Sequence, residues 1–381
     1  MTTPALQRLR ERFPEARITL LTHEKLAGLW LHHPSLDRVL VFASGGQIWS
    51  VARRLRLENF DLALVLPNSP RSALEVWLAR IPERIGYARP WRNWFLTRPI
   101  PARPGHVQMH KLSPREISRL IRLPAPDMRQ ALVAPESDGG GLVAPESDGG
   151  ETHTTRLARR SAVEAGHAPH QIHEYLHLAA ALGASPEPLA PRLVVTQVET
   201  EAIVSKFGLG ALSNSGPILG LNPGAEYGPA KRWPAEQFIA AARQIQQRTR
   251  CNWLVLGGPS DVPLANTVHS ALRTPHSALL NLAGQTSLRE LMGLLKLCRV
   301  LLTNDTGPMH LAAALGTTVV VPFGSTSPEL TGPGLPGDTR HRLFRSNVPC
   351  SPCFRRACPI DFRCMAAITV QRVVEAVLQA V

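Results

Sequence analysis

Residues 301–324, LLTNDTGPMHLAAALGTTVVVPFG, leave the chain little choice of architecture. An apolar run, a short polar loop, a helix of small residues and a β-branched run follow without a spare residue. Two strands joined by such a helix read as a parallel βαβ unit. Asp305 or Thr306 is placed to cap the helix, and Pro308 fits its first turn, where a missing N–H does no harm. The amides of Thr306, Gly307 and Met309 are expected to point at an anion. His310 follows one turn in, on the side of the cap, and Ala312, Ala313 and Ala314 let the helix lie close to a sheet. The glycine spacing is neither G-x-G-x-x-G nor a P-loop with Gly-Lys-Ser/Thr, which points away from dehydrogenases and NTPases.

The same alternation recurs along the chain. Strands are predicted at 38–42, 61–66, 85–87, 217–221, 253–257, 279–281, 300–303 and 318–323. Helices are predicted at 47–57, 72–79, 173–182, 234–247, 262–272 and 288–296, and a last one presents Val370, Val373, Val374, Val377, Leu378 and Val381 on one face. Two Rossmann-like halves follow, 1–190 and 191–381, with Pro186, Pro188 and Pro191 as linker and a cleft facing the strand C-termini. Between about 100 and 170 the regularity fails, and the nine-residue string LVAPESDGG occurs twice, at 132–140 and 142–150. Its Asp-Gly-Gly tails are turn formers in what reads as a surface insertion. The opening MTTPALQRLRERFPEARITLLT reads as a helix, with Leu6, Leu9 and Phe13 at helical spacing, leading into a strand. That is the second half of a βαβ unit, so a feeding strand is expected ahead of Met1.

The net charge of +13 suggests an anionic partner, and residues 81–130 hold ten Lys/Arg against Glu83, Glu116 and Asp127. Nucleic acid is not the expected partner: there are three Tyr and no ribonucleoprotein, finger or basic-zipper pattern. No apolar run approaches the roughly 20 residues needed to span a bilayer. The first residues carry no signal-peptide core, so a cytoplasmic location is expected. Four of six cysteines cluster as Cys350-x2-Cys353-x4-Cys358-x5-Cys364. The spacing matches no common zinc ribbon, so reduced structural thiols are expected, with a metal site as the alternative.

Two further loops leave predicted strands on the cleft side. LNPGAEYGPAKRWP, residues 221–234, has the Gly and Pro content of a loop that brings backbone close to a ligand, with Lys231 as its cation. In LGGPSD, residues 256–261, Asp261 or Ser260 is a candidate acceptor for a ribose hydroxyl.

NPGAEYGPAKRWPAEQF, NDTGPMHLAAALG with VVVPFGSTSPELTGP, and LPNSPRSALEVWLARIPERIGY together resemble the ADP-heptose:lipopolysaccharide heptosyltransferases. The motifs look more like the heptosyltransferase II branch, and CSPCFRRACPIDFRCM followed by ITVQRVVEAV resembles the end of many members. The resemblance covers most of the chain outside about 100–170. It implies a GT-B fold, with an N-terminal acceptor-side domain and a C-terminal domain holding the nucleotide sugar. It implies inverting transfer of L-glycero-D-manno-heptose from ADP-heptose to the inner core of lipopolysaccharide, on a lipid A-linked Kdo/heptose acceptor at the inner face of the cytoplasmic membrane. Carried over by position, Lys231 neutralises the leaving diphosphate. Asp305, Thr306, Gly307 and His310 line the donor site, with Asp261 a looser candidate near the adenosine. No acidic metal motif requires Mg2+, so no cofactor is expected, although Mg2+ at the leaving group stays open. The family's catalytic Asp lies in a Gly-Asp segment with no counterpart here, where only MTTPAL remains. The base is therefore expected before Met1, and weak transfer by the chain as given. The alternatives are a related GT-B transferase with another nucleotide sugar, or a donor-binding protein without catalysis.

Overall fold

The computed structural model describes every residue except Ser44, 123–168, 211, 213–215 and 274–278. The tandem repeat lies outside the described residues. In chain order the N-terminal half contains α1 (Thr3–Arg12), β1 (Thr19–His23), β2 (Arg38–Phe42), α2 (Ile48–Leu57) and β3 (Leu62–Val65). It continues with α3 (Pro70–Leu78), β4 (Glu83–Tyr87), β5 (Arg98–Ile100), α4 (Pro114–Leu120) and α5 (Ile172–Ala180). Parallel ladders join β1 to β2 and β3–β4–β5 to one another. The two ladders share no backbone pairing among the described residues; side chains hold them together. Leu21, Leu40 and Phe42 of the first and Ala63 and Val65 of the second meet in one cluster with Val51 and Leu55 of α2 and Ala73 and Val76 of α3. On the opposite face Ala5 and Leu9 of α1 pack with Ala179 of α5, Ile18 and Leu64.

The other half runs α6 (Gln197–Lys206), β6 (Ile218–Asn222), α7 (Ala235–Thr249), β7 (Asn252–Val255), α8 (Val262–Leu272) and β8 (Leu279–Asn281). Then come α9 (Leu288–Leu297), β9 (Val300–Thr303), α10 (Gly307–Ala314), β10 (Thr318–Phe323), β11 (Arg342–Arg345) and α11 (Val370–Ala380). Its six strands form one parallel sheet in the order β11-β10-β9-β6-β7-β8. Both faces are covered, as an all-parallel sheet requires. Trp233, Phe238, Ile245, Trp253 and the predicted valine stripe of α11 fill one side. Ile203, Leu254, Leu294, Leu301, Met309 and Phe323 fill the other. The chain leaves β6 toward β7 and later returns to β6's other edge as β9, which creates a switch point between β6 and β9.

Several segments differ from the sequence reading. α4 lies inside the stretch expected to be irregular, and starts at a reciprocal cap in which Ser113 and Glu116 satisfy each other's backbone amides. The same device, Thr196 with Glu199, starts α6. Prolines around these starts hide helices too short to show a clear apolar period. The proline segment expected to tether the halves is packed: Gln7 and Arg8 donate to the Ala190 and Glu187 carbonyls, and Thr3 accepts from the Arg192 amide. The halves also meet where Arg289 of α9 pairs with Glu199 and donates to the Gly28 carbonyl. That pairing holds the Glu199 carboxyl down to about 2. Among the described residues no helix is long and apolar enough to cross a membrane.

Candidate active site

Because β6 and β9 are neighbours, with Asn222 in register with Thr303, the loops leaving their C-terminal ends are forced together. Two buried asparagines stitch them. Asn222 Nδ2 donates to Thr303 Oγ1 at 2.9 Å. Asn304, with no exposed surface, donates to the Pro223 carbonyl at 2.7 Å and accepts from the Trp233 amide at 2.8 Å. The Trp233 indole in turn donates to the Ile368 carbonyl, locking the end of the loop into the core.

On this frame Lys231 reaches Asp305. Its Nζ lies 2.6 Å from Oδ2, with side-chain exposures of 14% and 4%. The Thr326 hydroxyl, from the loop after β10, donates to the same carboxylate oxygen at 2.5 Å. Lys231 also stands 4.9 Å from the centre of the Tyr227 ring, and the Arg356 guanidinium 5.2 Å from it. Arg356 arrives with the Cys-rich segment: its carbonyl accepts from the Ala230 amide, and the Phe354 carbonyl accepts from Tyr227. Gly228 permits this approach, since a Cβ there meets the Arg356 carbonyl oxygen at 2.5 Å and φ is 145°.

α10 begins beside this pair. Thr306 is its N-cap residue but makes no side-chain cap bond, and a Cβ added at exposed Gly307 would meet nothing within 4 Å. The first turn thus faces open space, with partial positive charge at its end. The Met309 amide, expected to face an anion, instead donates to the Thr306 carbonyl at 3.1 Å, closing the first turn. His310 sits half-buried on that turn. Desolvation pushes its pKa down to about 4, against an upward pull from Asp305, so the ring is neutral at neutral pH. From the other half, His170 donates from Nε2 to the Gly332 carbonyl at 3.0 Å, its Nδ1 accepting from Ile172. Burial lowers its pKa to about 4 as well.

Asp261 ties two of the loops together. Its carboxylate accepts from the Gly258 amide at 3.1 Å and from Arg232 at 3.4 Å, clamping the loop after β7 to the loop after β6. A side chain at Gly224 would strike that carboxylate at 2.2 Å. The structure therefore brings Lys231, Asp305, Thr306, Gly307 and His310 together, with Asp261 joined to the same loop through Arg232. Sequence reading missed Asn222, Asn304, Tyr227, Thr326 and Arg356. An Asn at the end of each apolar strand was visible as a signal; nothing in the pattern marked Arg356.

The cysteine tetrad gathers near the C-terminal end of the sheet, its four thiols close enough to act on one another electrostatically. Among the described residues no group of three or more His, Cys, Asp or Glu is arranged to hold an ion, and all six thiols are free. Cys350 and Cys353 pack with Ile117 of α4 and neighbouring aliphatics, while Cys364 belongs to the core beneath α11. Burial raises the Cys364 thiol to about 12 and Cys350 and Cys353 above the usual value, with the neighbouring thiols adding to the shift.

Two α/β halves, with an open helix N-terminus and a part-buried lysine at a switch point, have the architecture of a GT-B protein. The profile of Glycosyltransferase family 9 (heptosyltransferase) matches residues 48–112 and 147–362, and the chain belongs to that family. It is 28% identical over 341 residues to lipopolysaccharide heptosyltransferase 2 of Salmonella typhimurium, covering 87% of this chain and 81% of that protein. The structure of E. coli ADP-heptose lps heptosyltransferase II matches with a TM-score of 0.70 at 24% identity, covering 100% of this chain and 93% of that one. A family 9 glycosyl transferase from Veillonella parvula matches with a TM-score of 0.72 at 19% identity, covering 100% and 92%.

Proposed function

We propose that the chain transfers L-glycero-D-manno-heptose from ADP-heptose to a lipid A-linked inner-core sugar of lipopolysaccharide, with inversion. The observation that carries this reading is Lys231, held by Asp305 at the uncapped start of α10. An acceptor hydroxyl, its proton passing to a general base or to water, forms a bond to the anomeric carbon as the bond from that carbon to the diphosphate oxygen breaks. Negative charge then grows on the leaving ADP. Lys231 and the Thr306 and Gly307 amides are donors oriented in advance for that charge, which is where preorganisation lowers a barrier. Asp305 takes one of the ammonium's three donors and leaves two for phosphate. Neutral His310 adds a hydrogen bond without changing the net charge of the site. In this reading the halves divide at 190/191, the N-terminal one facing the acceptor at the anionic inner surface of the cytoplasmic membrane. No metal is assigned a role.

The test is turnover of ADP-heptose with a Kdo/heptose-bearing lipid A acceptor, read as mass gain of one heptosyl residue with release of ADP. Transfer from ADP-heptose, and none from UDP- or GDP-sugars, is expected. Failure to bind ADP by calorimetry would overturn the donor assignment.

A further inference from the structure

The chain has seven tryptophans. Trp233 and Trp253 are core residues, whereas Trp49, Trp77, Trp91 and Trp94 are 69%, 45%, 81% and 84% exposed. Large aromatic surface left in water on this scale marks an interaction face. All four fall between residues 49 and 94, in the outer layer of the N-terminal half.

The physical arrangement makes them one surface. α2 buries Val51, Ala52 and Leu55 against the strands. Its opposite stripe, at i, i+4 and i+8, is Trp49, Arg53 and Leu57, all exposed. α3 lies alongside: Arg56 of α2 donates to the Leu78 carbonyl at one end, and Arg71 of α3 donates to the Gly46 carbonyl at the other. Trp77 of α3 then meets Phe95 with ring centres 5.7 Å apart, bringing in the turn that carries Trp91 and Trp94. Between residues 48 and 98 there are nine arginines and four acids. Glu58 is paired with Arg38, and Glu75 is buried and paired with Arg71. Arg53, Arg54, Arg56, Arg80 and Arg98 remain exposed among the tryptophans.

We infer that this face docks on an anionic phospholipid bilayer. Indole rings partition to the water–lipid boundary, and arginines beside them are drawn to anionic headgroups. A peptide or small ligand would need a groove. Two surface concavities, of about 490 and 670 Å3, are lined by other segments, Pro114–Arg122 and the region around Gly216 and Ala380. The inference rests on the proposed lipid-linked acceptor for its purpose, and names the surface that meets the lipid.

The experiment is flotation of the full chain with vesicles of phosphatidylcholine alone or mixed equally with phosphatidylglycerol, at physiological salt. The wild type is expected to float with the anionic vesicles and only weakly with the neutral ones. Trp91→Ala/Trp94→Ala should weaken partitioning about tenfold, the loss of roughly 1.4 kcal/mol of interfacial burial. Arg53→Glu/Arg80→Glu should erase the preference for anionic vesicles. Calorimetry with ADP, run on every variant, reports folding and the donor site independently. Wild-type chain that stays with the soluble fraction while binding ADP would overturn the docking face alone, as would paired variants that float like the wild type. Flotation without ADP binding would keep the docking face and overturn the transferase reading.

Discussion

Replacing Lys231 by Met, alone and together with Asp305→Asn, separates the lysine's two roles. At an effective dielectric of about 20, charges about 3 Å apart attract by roughly 5 kcal/mol, and desolvation offsets most of this. The single variant strands a carboxylate that is 4% exposed and keeps only the Thr326 hydroxyl as a side-chain partner. Such an orphaned charge costs about 3–5 kcal/mol of stability. The second substitution removes the charge, so the double variant should return to within about 1 kcal/mol of wild type. ADP binding should behave differently. Losing a charged hydrogen bond to the diphosphate costs about 1.5–3 kcal/mol, or roughly 10- to 150-fold in Kd, in both variants. Urea unfolding and calorimetry with ADP measure the two quantities on the same preparations. A double variant that binds ADP as tightly as wild type would refute the donor role of Lys231. A single variant destabilised by less than about 1 kcal/mol would refute the buried pair.

Asn304→Ala strands the Trp233 amide and the Pro223 carbonyl in a dry site, so a loss of about 2–4 kcal/mol is expected in urea unfolding, with weaker ADP binding. Asn304→Asp, which keeps the acceptor but sets a buried carboxylate against the Pro223 carbonyl, should cost at least as much at neutral pH and recover part of that loss as the pH falls. Gly224→Ala drives a methyl into the Asp261 carboxylate, and should loosen the loops after β6 and β7 together, read as faster amide exchange at Gly258. His170 titrates near 4 when folded and near 6.5 when unfolded. Between those values the unfolded chain binds a proton that the folded one does not, so stability falls as pH drops from about 6.5 toward 4. From pH 7 to 4.5 the loss from this group is about 2 kcal/mol. His170→Gln should flatten that slope in urea midpoints; an unchanged slope would count against burial as the cause.

The sequence by itself determined the alternation of strands and helices, because periods of 2 and 3.6 and the caps at loop ends are local properties. It also determined the chemistry of the loops: the lysine in GPAK, and the helix start in NDTGP with its His310, are legible as strings. Helices α4 and α6 and the edge strands β5 and β11 were not legible, since elements of three to ten residues beside prolines, loops or edges carry little periodicity. Tertiary structure decided which loops meet. Strand order and register put Asn222 beside Thr303, and only then does Lys231 face Asp305, a pairing that sequence separation hides. It also decided what each charge does. Asp261 clamps two loops because the Gly258 amide and Arg232 both reach it, and Arg356 comes up beside Tyr227 because Gly228 has no side chain to keep it out. The fold also decided where four tryptophans lie. The fold spent the inner faces of α2 and α3 on smaller aliphatics and left the indoles outside.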